Sequence, residues 1–312
     1  MGFLKSILLV FNPHSGVRNF PSRLFDVVDK FTASGFLVTV YPTQSPGEVS
    51  EIIASYAANY DCVVCSGGDG TIGEAVNALL SFEKPPPLGI IPSGTVNDFA
   101  ASLGIPKDIR RAANLIVNGV PNEFDIGRFG DKHFSYVAAF GMFTDVPYAT
   151  PQNIKNLLGK LAYFLEGVRR FVSAGPSHCT ITLDGEKFSG DYILGIIGNA
   201  RFIAGIKLPK EMGAQMDDGL FEVILIRQPK TLKDQQEIIS SLLTHEEKTD
   251  LLVMRKAKKI AFESAAPVAW TLDGDFGGEY AEIKIENLHR SLKIITPPKE
   301  RQKPKPNKGL LE

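Results

Sequence analysis

Cys62-Val63-Val64-Cys65-Ser66-Gly67-Gly68-Asp69-Gly70-Thr71-Ile72-Gly73 is the stretch from which the rest of the chain is read. A short apolar run that meets glycines at once, with a helical pattern from Ile72 to Leu80 behind them, predicts a buried strand, a tight loop and a helix. Glycines in such a loop let the backbone come close to a ligand and take positive φ. Thr71 suits the helix N-cap, and the helix start offers free N–H groups and a positive dipole end to phosphate. Asp69 is the informative member. A carboxylate beside a phosphate repels it unless a cation lies between, so Asp69 implies Mg²⁺. The plainer alternative is a strand-to-helix turn with an Asx cap. Cys62 and Cys65 have redox or zinc spacing, but side chains three apart on a strand point to opposite faces, so both read as small core residues.

The same loop type recurs on either side. Ser6–Phe11 is an apolar run ending in Asn12-Pro13-His14-Ser15-Gly16, and Leu88–Ile91 ends in Pro92-Ser93-Gly94-Thr95-Val96-Asn97-Asp98-Phe99. With a strand at Phe36–Tyr41 and helices near 24–31 and 47–58, the first 122 residues read as alternating strands and helices. That pattern belongs to a parallel sheet covered on both faces. Loops after the carboxyl ends of parallel strands line one crevice, so the three together describe a nucleotide-phosphate cradle. Gly-x-x-x-x-Gly-Lys-Ser/Thr does not occur, which excludes the P-loop design.

From about residue 123 the texture changes. Runs at 124–129 and 133–139 flank Gly130-Asp131, and runs at 179–183 and 188–197 flank Asp184-Gly185; both are hairpin signals. Further strands are expected at 220–226, 259–262, 268–272, 281–285 and 292–295. Residues 123–297 therefore read as a mostly antiparallel β-sandwich domain. An amphipathic helix is expected over 153–172, with Lys155, Lys160, Arg169 and Arg170 opposite its apolar stripe. It suits packing on the second domain or docking on a membrane. The Lys- and Pro-rich tail, 298–312, reads as disordered.

With 312 residues there is room for two cores. Lys and Arg number 34 against 35 Asp and Glu, for a net charge of −1, so nothing global favours nucleic acid. The odd, sparse set of 3 cysteines is not a secreted disulfide framework. No apolar run is long enough to span a bilayer, and no signal-peptide pattern is present, so a cytoplasmic location is expected.

NPHSG, SGGDGT and IPSGTVNDFA, in this order and spacing, resemble the catalytic domain of diacylglycerol kinases, most closely the soluble bacterial lipid kinases of this length. Met216-Asp217-Asp218-Gly219-Leu220-Phe221 and Leu272-Asp273-Gly274-Asp275 also resemble family positions, so the resemblance covers nearly the whole chain. It implies an α/β fold: a parallel nucleotide-binding domain, an antiparallel β-sandwich domain, and an active site in the cleft between them. The last strand, near 291–296, is implied to return to the first domain. The implied activity is phosphorylation by ATP of the hydroxyl of a membrane lipid, as in making phosphatidic acid from diacylglycerol during phospholipid biosynthesis. Such an enzyme would be peripheral at the inner membrane face, and a homodimer is common among resembling proteins.

Carried over by position, the ATP contacts are Asn12, Pro13, His14, Ser15 and Gly16; Thr43; Gly67, Gly68, Asp69, Gly70, Thr71, Ile72 and Gly73; and Thr95. His14 falls at a position the family leaves variable and is expected to be exposed. Asp69 and Asp98 are expected to reach the catalytic Mg²⁺ through water. A second, structural Mg²⁺ is implied on Asp218 with the backbone carbonyls of Gln215 and Leu220; a plain β-turn is the alternative there. The resemblance places the general base at Asp275, where relatives often have Glu, with Asp273 in reserve. Gly73 departs from the Asn usual in relatives. Asp125 suits a hinge, a cleft residue or a simple strand start, and Trp270 reads as packing.

Two rival readings remain. An NAD kinase or phosphofructokinase shares the Gly-Gly-Asp-Gly loop. A lipid- or nucleotide-binding regulator without catalysis would account for the substituted base and Gly73. The lipid could equally be diacylglycerol, phosphatidylglycerol, a sphingoid base or a ceramide, since pocket shape rather than motif selects it.

Overall fold

The structure, a computed structural model, describes residues 5–15, 20–141, 175–199, 202–203, 206–207, 215–244 and 249–298. The expected 153–172 helix, Gly16 and all of the tail except Pro298 lie outside these residues.

The amino-terminal part alternates as the apolar runs predict: β1 (Lys5–Phe11), α1 (Leu24–Ala33), β2 (Phe36–Pro42), α2 (Glu48–Tyr56), β3 (Cys62–Gly67), α3 (Asp69–Leu79), β4 (Leu88–Pro92), α4 (Asp98–Ser102) and α5 (Ile109–Asn118). Its strands are parallel in the order β2-β1-β3-β4. β3 and β4 are buried throughout, as a sheet covered on both faces requires, whereas the edge strand β2 alternates. Cys62 and Cys65 are free thiols in this core. The α4 and α5 helices were not read from sequence; Asp108 starts α5 by accepting the Arg111 N–H at 2.9 Å.

The rest is β-rich: β5 (Val120–Phe129), β6 (Lys132–Phe134), β7 (Val137–Gly141), β8 (Ser177–Leu183), β9 (Glu186–Gly198), the short β10 (Phe202–Ile203) and β11 (Ile206–Lys207), β12 (Phe221–Arg227), α6 (Leu232–Thr244), β13 (Leu252–Ala257), β14 (Lys259–Leu272) and β15 (Asp275–Thr296). Its pairings are antiparallel. Trp270 sits at the centre of its core, with the rings of Phe129, Phe140 and Phe262 around it. The α6 helix and β13 were not anticipated.

β15 joins the two parts. Its early residues pair with β14, and Ile294 pairs in parallel with Leu88 of β4, so the chain's end returns to the first sheet. β5 runs alongside it through the boundary expected at residue 122 without a break.

Three local expectations are corrected. Thr71 is not the N-cap: β3 runs straight to Gly67, extended Gly68 takes that position, and α3 begins at Asp69. The strand expected over 133–139 is split at Ser135-Tyr136, whose amides leave the ladder to bind a carboxylate. Conversely, 259–262 with 268–272, and 281–285 with 292–295, each belong to one long strand that absorbs a register shift.

Candidate active site

The carboxyl ends of β1, β3 and β4 bring their loops together at one edge. Asn12 N–H donates to the Ser66 carbonyl at 3.1 Å, and the Ser93 and Gly94 N–H groups donate to the Gly67 carbonyl at 2.9 and 3.2 Å. Ser15 Oγ and Ser93 Oγ are 2.8 Å apart, tying the first loop to the third. Asn97, at φ 60°, clamps Gly94 from both sides: its Oδ1 accepts the Gly94 N–H at 3.0 Å and its Nδ2 donates to the Gly94 carbonyl at 2.6 Å. A Cβ on Gly94 would fall on the Gly68 Cα, so the second and third loops touch backbone to backbone. Above them stands the start of α3, whose first-turn amides have no partner within the helix.

The other expected nucleotide contacts lie around this edge. Thr43 is buried, its N–H and Oγ1 donating to the Phe11 carbonyl at 3.0 and 3.3 Å. Asn12 Oδ1 accepts the His14 N–H at 2.9 Å, and Pro13 is half-buried. His14 and Thr95 are exposed. Ile72 faces the core instead, at 4% exposure.

Four aspartates converge here, in different circumstances. Asp69 Oδ2 accepts the N–H groups of Asn97 and Asp98 at 2.9 and 3.3 Å, and its Oδ1 accepts that of Phe99 at 3.2 Å. It thus caps α4 and fastens the third loop to α3. Burial raises its pKa; the amides oppose this and the neighbouring, buried Asp98 adds to it. Asp273, in the β14–β15 turn at φ 52°, accepts the N–H groups of Ser135, Tyr136 and Val137 at 2.6, 2.9 and 3.0 Å. Its carboxyl is enclosed and pushed up to about 6 by that burial. Asp275, two residues on, is exposed, and its carboxylate makes no hydrogen bond to the described residues. Its Oδ2 lies 3.0 Å from where a Cβ on Gly70 would sit, directly over the first turn of α3. Partial desolvation raises its pKa above 3.8. Gly73 faces the same turn: its Cβ would lie 3.9 Å from Asp273 Oδ2.

Tyr136 was missed by sequence reasoning, because a tyrosine in an apolar run reads as core. It is 2% exposed and its hydroxyl donates to the Asp273 carbonyl at 3.2 Å. Burial, reinforced by the charges of Asp69, Asp273, Asp98 and Asp275, keeps it protonated. Ser93 and Asn97 were likewise unassigned; a short polar residue between glycines looks like any turn.

Asp125 is an anchor inside the second part. It accepts from the Gly219 N–H at 2.6 Å, the Arg290 N–H at 2.8 Å and His289 Nδ1 at 2.9 Å, and is fully buried. Asp218 lies beyond it, with Oδ1 accepting the Leu220 N–H at 3.1 Å and Oδ2 2.9 Å from Lys256 Nζ; Gln215 is exposed. No three His, Cys, Asp or Glu side chains among the described residues converge as a metal cage.

Glycine loops at the carboxyl edge of a parallel sheet, a helix start and a free carboxylate brought in from a second, antiparallel part define a nucleotide-dependent phosphotransferase. Comparison with known proteins narrows the class. Residues 6–129 match the diacylglycerol kinase catalytic domain, and residues 140–296 match the YegS C-terminal NAD kinase beta sandwich-like domain. A diacylglycerol kinase of Bacillus subtilis is 31% identical over 298 residues, covering 94% of this chain and 97% of its own. One from Staphylococcus saprophyticus is 32% identical over 295 residues, covering 94% and 96%. The crystal structure of a diacylglycerol kinase from Bacillus anthracis superposes with a TM-score of 0.75 at 27% identity, over 96% of this chain and 98% of that one. The chain belongs to the diacylglycerol kinase family and is a lipid kinase.

Proposed function

We propose that this kinase transfers the γ-phosphate of ATP to the free hydroxyl of diacylglycerol, giving phosphatidic acid and ADP, with Mg²⁺ as the nucleotide's counter-ion. The observation that carries the reading is the contrast within Asp273-Gly274-Asp275: one carboxylate is consumed by three amides, while the other is free over the first turn of α3. Asp275 is the general base. It takes the proton of the lipid hydroxyl as that oxygen attacks the γ-phosphorus, and the bond from phosphorus to the bridging oxygen of ADP breaks. The amides of the α3 first turn, set in place by the Gly67–Gly68 and Ser93–Gly94 loops packed beneath them, hold the phosphates in line. Asp69 keeps the third loop and α3 in register.

Asp69 and Asp98 lie side by side, buried and mutually repelling, which suits a nearby cation; because Asp69 already accepts three amides, the pair would hold Mg²⁺ through water. Bound with the nucleotide, Mg²⁺ supplies neutralisation of the phosphate charge. The lipid is met at the bilayer surface, since no helix among the described residues is long and apolar enough to cross a membrane.

The test is a panel of acceptors with γ-labelled ATP: diacylglycerol, phosphatidylglycerol, a sphingoid base, ceramide and NAD. Label entering diacylglycerol preferentially is the expected result. Label in NAD alone would reassign the enzyme, and ATP binding without turnover on any acceptor would make it a regulator.

A further inference from the structure

We infer that Lys256 is the built-in counter-ion of the Asp218 loop, so that this loop holds its shape without the Mg²⁺ that the family resemblance implies for it. The argument starts from register. On β12 and β13, Glu222 and Lys256 are direct cross-strand partners, which fixes where the lysine stem begins. From there its Nζ lies 2.9 Å from Asp218 Oδ2 and 3.4 Å from Glu222 Oε1. The other Asp218 oxygen already accepts the Leu220 N–H.

Glu222 makes the cation necessary. It is 1% exposed, and neither of its oxygens has a hydrogen-bond partner among the described residues, so the ammonium is what compensates its burial. A divalent ion on Asp218 Oδ2 would contend with that ammonium for one carboxylate oxygen, and the two cations would repel each other at close range. The donor set therefore fits a lysine and does not fit a structural Mg²⁺.

The position explains why a permanent charge is useful. Gly219, next to Asp218, donates to Asp125, which also holds His289 and Arg290 of β15 just before the strand crosses to the first sheet. A counter-ion carried by the chain keeps that junction formed whatever the Mg²⁺ concentration.

The experiment compares thermal unfolding of the nucleotide-free full chain and of Asp218→Asn, each in excess EDTA and in millimolar Mg²⁺. Asp218→Asn is expected to lower Tm by about 3 °C or more, by the same amount in both buffers. A Mg²⁺ response shared by both proteins arises elsewhere and leaves this difference unchanged, as expected. A Mg²⁺-dependent rise in the wild type that Asp218→Asn abolishes would overturn the inference. A second arm pairs Asp218→Asn with Lys256→Met: the double variant should fall little further than Lys256→Met, which also strips Glu222 of its cation, whereas fully additive losses would show that Asp218 and Lys256 do not act as a pair.

Discussion

Asp273 and Asp275 are chemically identical and separated only by Gly274, yet their surroundings give them different work. Asp273 ends three backbone N–H groups and closes the break between β6 and β7. Asp273→Ala would leave those donors buried and unpaired, and the cost is expected to be about 3 kcal/mol or more, measured by urea unfolding. Asp275 carries no such burden, and Asp275→Asn is expected to leave folding intact while lowering kcat roughly 10²- to 10⁴-fold. The pH dependence follows from the same assignment. A base must be ionised, and desolvation raises this carboxyl above 3.8, so kcat should fall as the pH drops through that raised value. The acid limb should vanish from whatever activity Asp275→Asn retains; an unchanged limb would move the base elsewhere.

At the scale of elements, the proposed nucleotide edge is built from loops that brace one another. Gly94 meets Gly68, Asn97 clamps Gly94, and Asp69 reaches from α3 to the amides that open α4. Gly94→Ala places a methyl group on backbone, which cannot rotate away as a side chain would. It should raise the KM for ATP at least ~10-fold, because a displacement of about 1 Å is enough to misalign the phosphates. The far-UV circular dichroism should not change. An unaltered KM would mean that the loops need not touch. The three loops were legible in sequence because glycine, proline and apolar runs act locally. The bracing was not, since Asp69 and Phe99 lie 30 residues apart and nothing in either segment names the other.

On the scale of the molecule, β15 is the spine. It starts at the proposed base, borders the aromatic core, passes the Asp125 anchor and ends against β4, so neither part has an independent last strand. Its continuity predicts one cooperative transition rather than two. The chain's single tryptophan, Trp270, reports on the second core alone, while circular dichroism sees both parts. The two probes should give the same midpoint in urea. Ile294, fully buried where the strands meet, offers a second check: Ile294→Ala should cost about 2–4 kcal/mol and shift both probes together.

Apolar runs of strand length, glycines at their ends and acidic residues among those glycines are properties of neighbouring residues. They were enough to determine the parallel sheet, the glycine loops at its carboxyl edge and the antiparallel second part; the lipid-kinase class came from the resemblance of those motifs to a known family. Which aspartate remains free, why the 132–141 segment breaks in two, and which cation faces Asp218 were decided only on folding. Each depends on groups far apart in the chain, 138 residues between Asp273 and Ser135 and 38 between Asp218 and Lys256. Burial leaves a carboxylate stable only where a distant donor happens to meet it, and that meeting is a property of the packed chain.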